Sequence, residues 1–160
     1  MEKSEVTLSK ATVGDAEDIH AMQLQAFMPL LEKYQDYETS PANETVERVA
    51  ERLNQASVDY YIIRNAGVAA GSIRVKKTDA QKYWLGQIFI LPQYQGQGIA
   101  QQVFAQIEQM YADATVWGLA TIVQEERNCY LYEKMGYRRT NETREINDKM
   151  TLCYYEKEVN

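Results

Sequence analysis

Residues 88–100 read IFILPQYQGQGIA, and this stretch decides how the chain is read. Its apolar start predicts a strand from Tyr83 to Leu91. Pro92 stops that strand, because proline has no N–H to give to a sheet ladder. The turn from Gln93 to Gly98 carries two glycines, and a helix is expected from Ile99 to about Asp113. Ile99, Val103, Ile107, Met110 and Tyr111 form its apolar stripe, at spacings of three and four. A strand, a glycine turn and a helix N-terminus together make an anion site, since unpaired backbone N–H groups and the positive end of the helix dipole converge there. The same residues also fit a tight β-α turn that binds nothing, because a lone Gly-x-Gly is weak evidence. Two phosphate motifs fit badly. No Gly-Lys-Ser/Thr is present, and Gly96-x-Gly98 lacks the third glycine of the dinucleotide fingerprint.

Upstream, Val6 to Lys10 reads as a strand. Thr12 and Asp15 mark a helix start, with Ile19, Met22, Ala26, Phe27 and Leu30 at helical spacing until Pro29 ends or bends it. Lys33 to Asn43 is a polar connection and Glu44 to Gln55 a second helix. Asp59 to Arg64 and Val68 to Lys76 are strands joined by a turn at Asn65 to Gly67, a hairpin signal, and Thr78 to Gln81 is another turn. Downstream, Thr115 to Val123 is an almost continuously apolar strand, expected to be central. Glu126 to Met135 is a short helix closed by Gly136, and Tyr137 to Thr140 and Met150 to Glu156 are the last strands. The order β-α-α-β-β-β-α-β-α-β-β predicts an α/β (α+β) chain, one sheet with helices on both faces. No linker or repeat divides it, so residues 1–160 are expected to form a single domain.

Composition narrows the chemistry. Seventeen Lys and Arg against twenty-three Asp and Glu give a net charge of −6, which argues against nucleic acid as a partner. No stretch has the length of apolar sequence that a membrane helix needs, and no leader resembling a secretory signal is seen, so a cytoplasmic setting is expected. One histidine, His20, and two cysteines make a metal site or a Ser-His-Asp triad improbable. Twelve tyrosines leave tyrosine or carboxylate as the better candidates for proton transfer.

The chain resembles the GNAT superfamily of acyl-CoA-dependent N-acetyltransferases. Gln95-x-x-Gly98-x-Ala100 matches the family's pyrophosphate loop, and LYEKMGY over residues 131–137 matches a second family segment. The order and spacing of elements match as well. The resemblance implies a single mixed, mostly antiparallel sheet splayed in the middle. It implies acetyl-CoA as co-substrate and direct attack by an amine, with no metal. The pantetheine arm would pair with the backbone of Ile88, Phe89 and Ile90. The pyrophosphate would rest on Gln95, Gly96, Gln97, Gly98, Ile99 and Ala100, and Tyr132 would act as the acid for the departing thiolate. A non-catalytic acyl-CoA-binding module on the same fold is the alternative.

Departures from the family pattern locate the open questions. Glu125 stands seven positions before Tyr132, where many relatives carry an asparagine that contacts the pantetheine arm. Asn128 lies nearer and is a weaker match to that role. Glu125 or Glu126 could bind the acceptor ammonium or act as base, or simply favour the helix dipole as acids at an N-terminus. Lys134 or Arg138 could help with the adenosine phosphate. Gln87 sits where some relatives have an acid; an amide cannot take a proton, and Gln87 is expected among the substrate-binding residues instead. His20 is a weaker candidate for the base. Phe27, Tyr34 and Tyr37, with Asp36 and Glu38 near the latter two, are expected to face a small-molecule or peptide amine, through charge and cation–π contact. A solvated polar loop is the competing view. The final strands offer an edge at which a homodimer could form.

Overall fold

The computed structural model describes residues 5–159. Seven strands and four helices follow one another as β1 (Val6–Lys10), α1 (Ala16–Tyr34), α2 (Val46–Leu53), β2 (Val58–Asn65), β3 (Val68–Asp79) and β4 (Lys82–Ile90), then α3 (Ile99–Met110), β5 (Val116–Ile122), α4 (Glu126–Lys134), β6 (Arg138–Asn147) and β7 (Met150–Glu158). The strands form one sheet in the order β1-β2-β3-β4-β5-β7-β6. Every neighbouring pair is antiparallel except β4 and β5.

Alternation along β2 shows how the layers arise. Val58, Tyr60 and Ile62 join Ile19 of α1 and Val49 of α2 in one apolar cluster. Tyr61 and Ile63 belong to the other, with Val103, Phe104 and Ile107 of α3 and Cys129 and Tyr132 of α4. Period-two strands therefore feed both faces, and the helices cover them in two pairs. Burying each large apolar side chain stabilises the fold by roughly 1.5–3 kcal/mol. The β2–β3 hairpin turns on Ala66 and Gly67, both at positive φ (52° and 85°), as the twist of a two-residue hairpin requires.

Three boundaries differ from the sequence expectation. Pro29 does not end α1, which runs on to Tyr34. Proline removes the N–H that would bond the Gln25 carbonyl and crowds that carbonyl with its ring, but burial of Leu31 and Tyr34 holds the helix beyond it. Strand β3 extends to Asp79, so the turn shrinks to Ala80 and Gln81. Strand β6 continues to Asn147 instead of stopping at Thr140. Pairing with β7 carries it, from Arg138 opposite Glu156 to Asn147 opposite Met150. Among the described residues, no helix is long and apolar enough to cross a membrane.

Candidate active site

Strands β4 and β5 pair through only four rungs, Lys82 to Leu85 against Val116 to Leu119. Beyond Leu85 they separate. Strand β4 then continues with β3 alone, placing Gln87, Ile88, Phe89 and Ile90 opposite Arg74, Ile73, Ser72 and Gly71. Gly86 is an extra residue between the Leu85 and Gln87 rungs, a bulge of the kind that bends a strand. Its carbonyl accepts from the Arg74 guanidinium at 3.1 Å.

The separation opens a cleft of about 810 Å³. Ile88, Phe89 and Ile90 form one wall, and their edge facing away from β3 has no strand partner. The glycine turn forms its floor, with Gln95, Gly96, Gly98, Ile99 and Ala100 all lining it. Gly96 and Gly98 both sit at φ 77°, and a Cβ built on either meets nothing within 4 Å. Space is thus not what demands glycine there. The left-handed backbone is, since it costs an L-residue roughly 1–2 kcal/mol. Gly98 is the N-cap of α3, so the first N–H groups of that helix have no intrahelical acceptor. The glutamines brace this turn: Gln95 Nε2 donates to the Ile90 carbonyl at 2.9 Å and Gln97 Nε2 to the Gln93 carbonyl at 3.4 Å. Both side-chain amides are thereby turned back on the chain, and the groups of this turn left to face the cleft are backbone ones.

Helix α4 supplies the opposite wall with Glu125, Glu126, Arg127, Asn128, Tyr130 and Tyr132. Tyr132 is buried, edge-on to Phe104 at 5.9 Å and close to Tyr137 and Tyr155. Burial, and secondarily the Cys129 thiol, push its phenol up to about 12. Glu125 is the N-cap of α4. It accepts from Lys33 Nζ at 2.8 Å and in a short contact from the Tyr34 hydroxyl. Burial pulls its carboxyl upward, but the bonds from Lys33 and Tyr34 outweigh this and hold it below the usual range. Both donors come from the last turn of α1, so Glu125 joins α1 to α4 across the cleft.

Helix α1 closes the cleft with Ala26, Phe27, Pro29 and Leu30. Phe27 lies edge-on to Phe89 at 5.6 Å, linking this helix to β4. Other candidates fall elsewhere. Tyr34 is buried and reaches the site only through Glu125. Tyr37 is 62% exposed and lies outside the lining, as do buried Gln87 and exposed Lys134. His20 Nε2 is bonded to the Glu44 carbonyl oxygen at 2.8 Å, between α1 and the start of α2. Sequence reasoning missed Lys33, Arg127 and Tyr130. Lys33 gave no local signal, because its partner lies 92 residues away.

The family model described as an acetyltransferase (GNAT) domain matches residues 30–159. The chain belongs to the GNAT acetyltransferase family. It is therefore a GNAT-family acyltransferase, and the cleft described above is its candidate active site. A protein of Bacillus subtilis (strain 168) called YrkN, itself uncharacterized, is 26% identical over 135 residues, covering 82% of this chain and 72% of its own. An acetyl transferase of Salmonella typhimurium that modifies the N-terminal serine of ribosomal protein L7/L12 superposes with a TM-score of 0.77 at 16% identity, over 99% of this chain and 97% of that one. The PaiA N-acetyltransferase of Thermoplasma acidophilum, solved with coenzyme A, gives 0.75 at 14% identity, over 97% and 99%. These likenesses describe a shared fold. In this GNAT chain the asparagine slot before the tyrosine is occupied by a carboxylate already bonded to α1.

Proposed function

We propose that this chain transfers the acetyl group of acetyl-CoA directly to a primary amine of a small molecule or peptide, in the cytoplasm. One observation carries the proposal: a single cleft joins a backbone anion cradle, an unpaired strand edge and a buried tyrosine hydroxyl. The residues fit the co-substrate. The N–H groups from Gly96 to Ala100 suit its pyrophosphate, and the free edge of Ile88 to Ile90 suits the amides of its pantetheine arm. Acetyl-CoA supplies an activated thioester. The Salmonella typhimurium and Thermoplasma acidophilum relatives, described as modifying an N-terminal serine and as an N-acetyltransferase with coenzyme A, support the same direction.

The acceptor ammonium must lose a proton before its nitrogen can attack. Glu125 is poorly suited to take it, being held by Lys33 and Tyr34 with its affinity for protons lowered. Gln87 has no basic site, and the His20 ring is engaged at Glu44. Water in the open cleft takes the proton. Tyr132 then donates a hydrogen bond to the departing sulfur. Its phenol near 12 holds a proton more tightly than an ordinary thiol near 8.5, so Tyr132 stabilises the thiolate without giving its proton up fully. The ammonium gives one proton to solvent before attack; as the C–S bond breaks, the nitrogen loses a second proton, which passes through water to the sulfur, so that an amide and a free thiol result.

Thiol release from acetyl-CoA across an amine panel tests this, with Tyr132→Phe as the control. Amine-dependent release that falls in the variant is expected. A thermal shift with CoA but no release with any amine would instead favour a non-catalytic acyl-CoA-binding module.

A further inference from the structure

Of the acids lining the acceptor end of the cleft, Glu125 is half-buried and already holds Lys33, whereas Glu126 is exposed with the cation Arg127 next in the chain. Asp36, in the connection after α1, accepts from the backbone N–H groups of Glu38 and Thr39 and so caps its own turn. Glu44 is held by two bonds from the Arg52 guanidinium. The remaining surface offered by α1 is apolar: Ala26, Phe27, Pro29 and Leu30.

Resting on the acetyl-transfer proposal above, we propose that the acceptor carries a single positive charge on an apolar body, and that Lys33 is the residue that turns away acceptors with a second cationic group. The Lys33 ammonium lies 2.8 Å from a Glu125 oxygen and 5.1 Å from the Tyr34 ring centroid. A carboxylate, a phenol and an aromatic face are the groups that would hold a foreign ammonium. Here the protein's own lysine occupies them. The lysine side chain is 59% exposed and the Glu125 side chain 22%, so the carboxylate is the fixed partner and the lysine the one that could be displaced. A dicationic ligand would have to displace it and would still meet its charge nearby.

The test uses the full chain saturated with CoA and calorimetric titration of hexylamine and 1,6-diaminohexane. Lys33→Met keeps the apolar stem and frees Glu125. Hexylamine, whose only ammonium must reach the thioester to react, is expected to gain less from Lys33→Met than diaminohexane does. Diaminohexane is expected to bind Lys33→Met at least about threefold more tightly than wild type, the range of an exposed ion pair. The gain should vanish in the Lys33→Met/Glu125→Gln double variant, and Lys33→Arg should match wild type. Equal diaminohexane affinity in wild type and Lys33→Met would overturn the proposal, as would a wild type that prefers the diamine or binds neither amine. If Lys33→Met gains diamine affinity while neither protein releases thiol with either amine, this inference stands and acetyl transfer falls.

Discussion

The two ends of the cleft are built from different materials. The co-substrate end is main chain: the free edge of Ile88 to Ile90, two glycines at φ 77° and the start of α3. The proposed acceptor end is side chain: Phe27 and Leu30 from α1 face Glu125 and its neighbours on α4, with Lys33 and Tyr34 bonded to Glu125 outside the lining. A main-chain site is written in a short local stretch and tolerates many side chains. A side-chain site depends on residues far apart in the chain and can be re-aimed by single substitutions. Variation in acceptor on a constant co-substrate is the natural outcome.

The largest expected effect lies where the two ends meet. Tyr132→Phe should lower kcat by about a hundredfold, in the range for losing one hydrogen-bond donor to developing charge, with CoA affinity little changed. Thiol release and a CoA titration check this, and unaltered turnover would remove Tyr132 from the chemistry. Next comes the main-chain end. Gly98→Ala should raise the KM for acetyl-CoA by about tenfold while kcat holds, because a methyl on a left-handed residue strains the cradle by roughly 1–2 kcal/mol. If KM for the amine moved instead, the division between the ends would be wrong. Glu125→Gln should cost less than about threefold in kcat, as expected for a lost ion pair of modest exposure. A loss of a hundredfold would make Glu125 the base after all.

The smallest effect is in the pH response. With its phenol near 12, Tyr132 stays protonated through pH 10, so rates should rise with amine deprotonation and show no fall from this group below about pH 11. Its raised value also means that its contribution to folding is complete below the ordinary phenol value and lost as pH climbs from about 10 through 12. The unfolding midpoint should therefore decline over that interval, and less steeply in Tyr132→Phe.

The same contrast explains how much could be read from the chain. IFILPQYQGQGIA announces a strand, a turn and a helix in thirteen consecutive residues, and the cradle was legible from them. Tyr132 was legible from its segment. Lys33 was not, because nothing near it in sequence signals a carboxylate 92 residues on. Tyr34 was expected at the acceptor and instead reaches it indirectly, since α1 ran past Pro29 and buried the ring. Strand β6 was half-missed for a related reason. Residues 141–147 are polar apart from Ile146 and mostly exposed, without apolar alternation, and their strand character comes from β7 beside them.

The four rungs between β4 and β5 also act as a ruler. Past the last rung, β4 runs five more residues, Gly86 to Ile90, before the loop. At about 3.3 Å each, that is a gauge of about 17 Å between the crotch of the sheet and the approach to the cradle. One more rung would zip the crotch shut by a residue and bring the gauge in by the same step. Strand pairing thereby sets the length of the unpaired edge, and no side chain in the cleft has to set it.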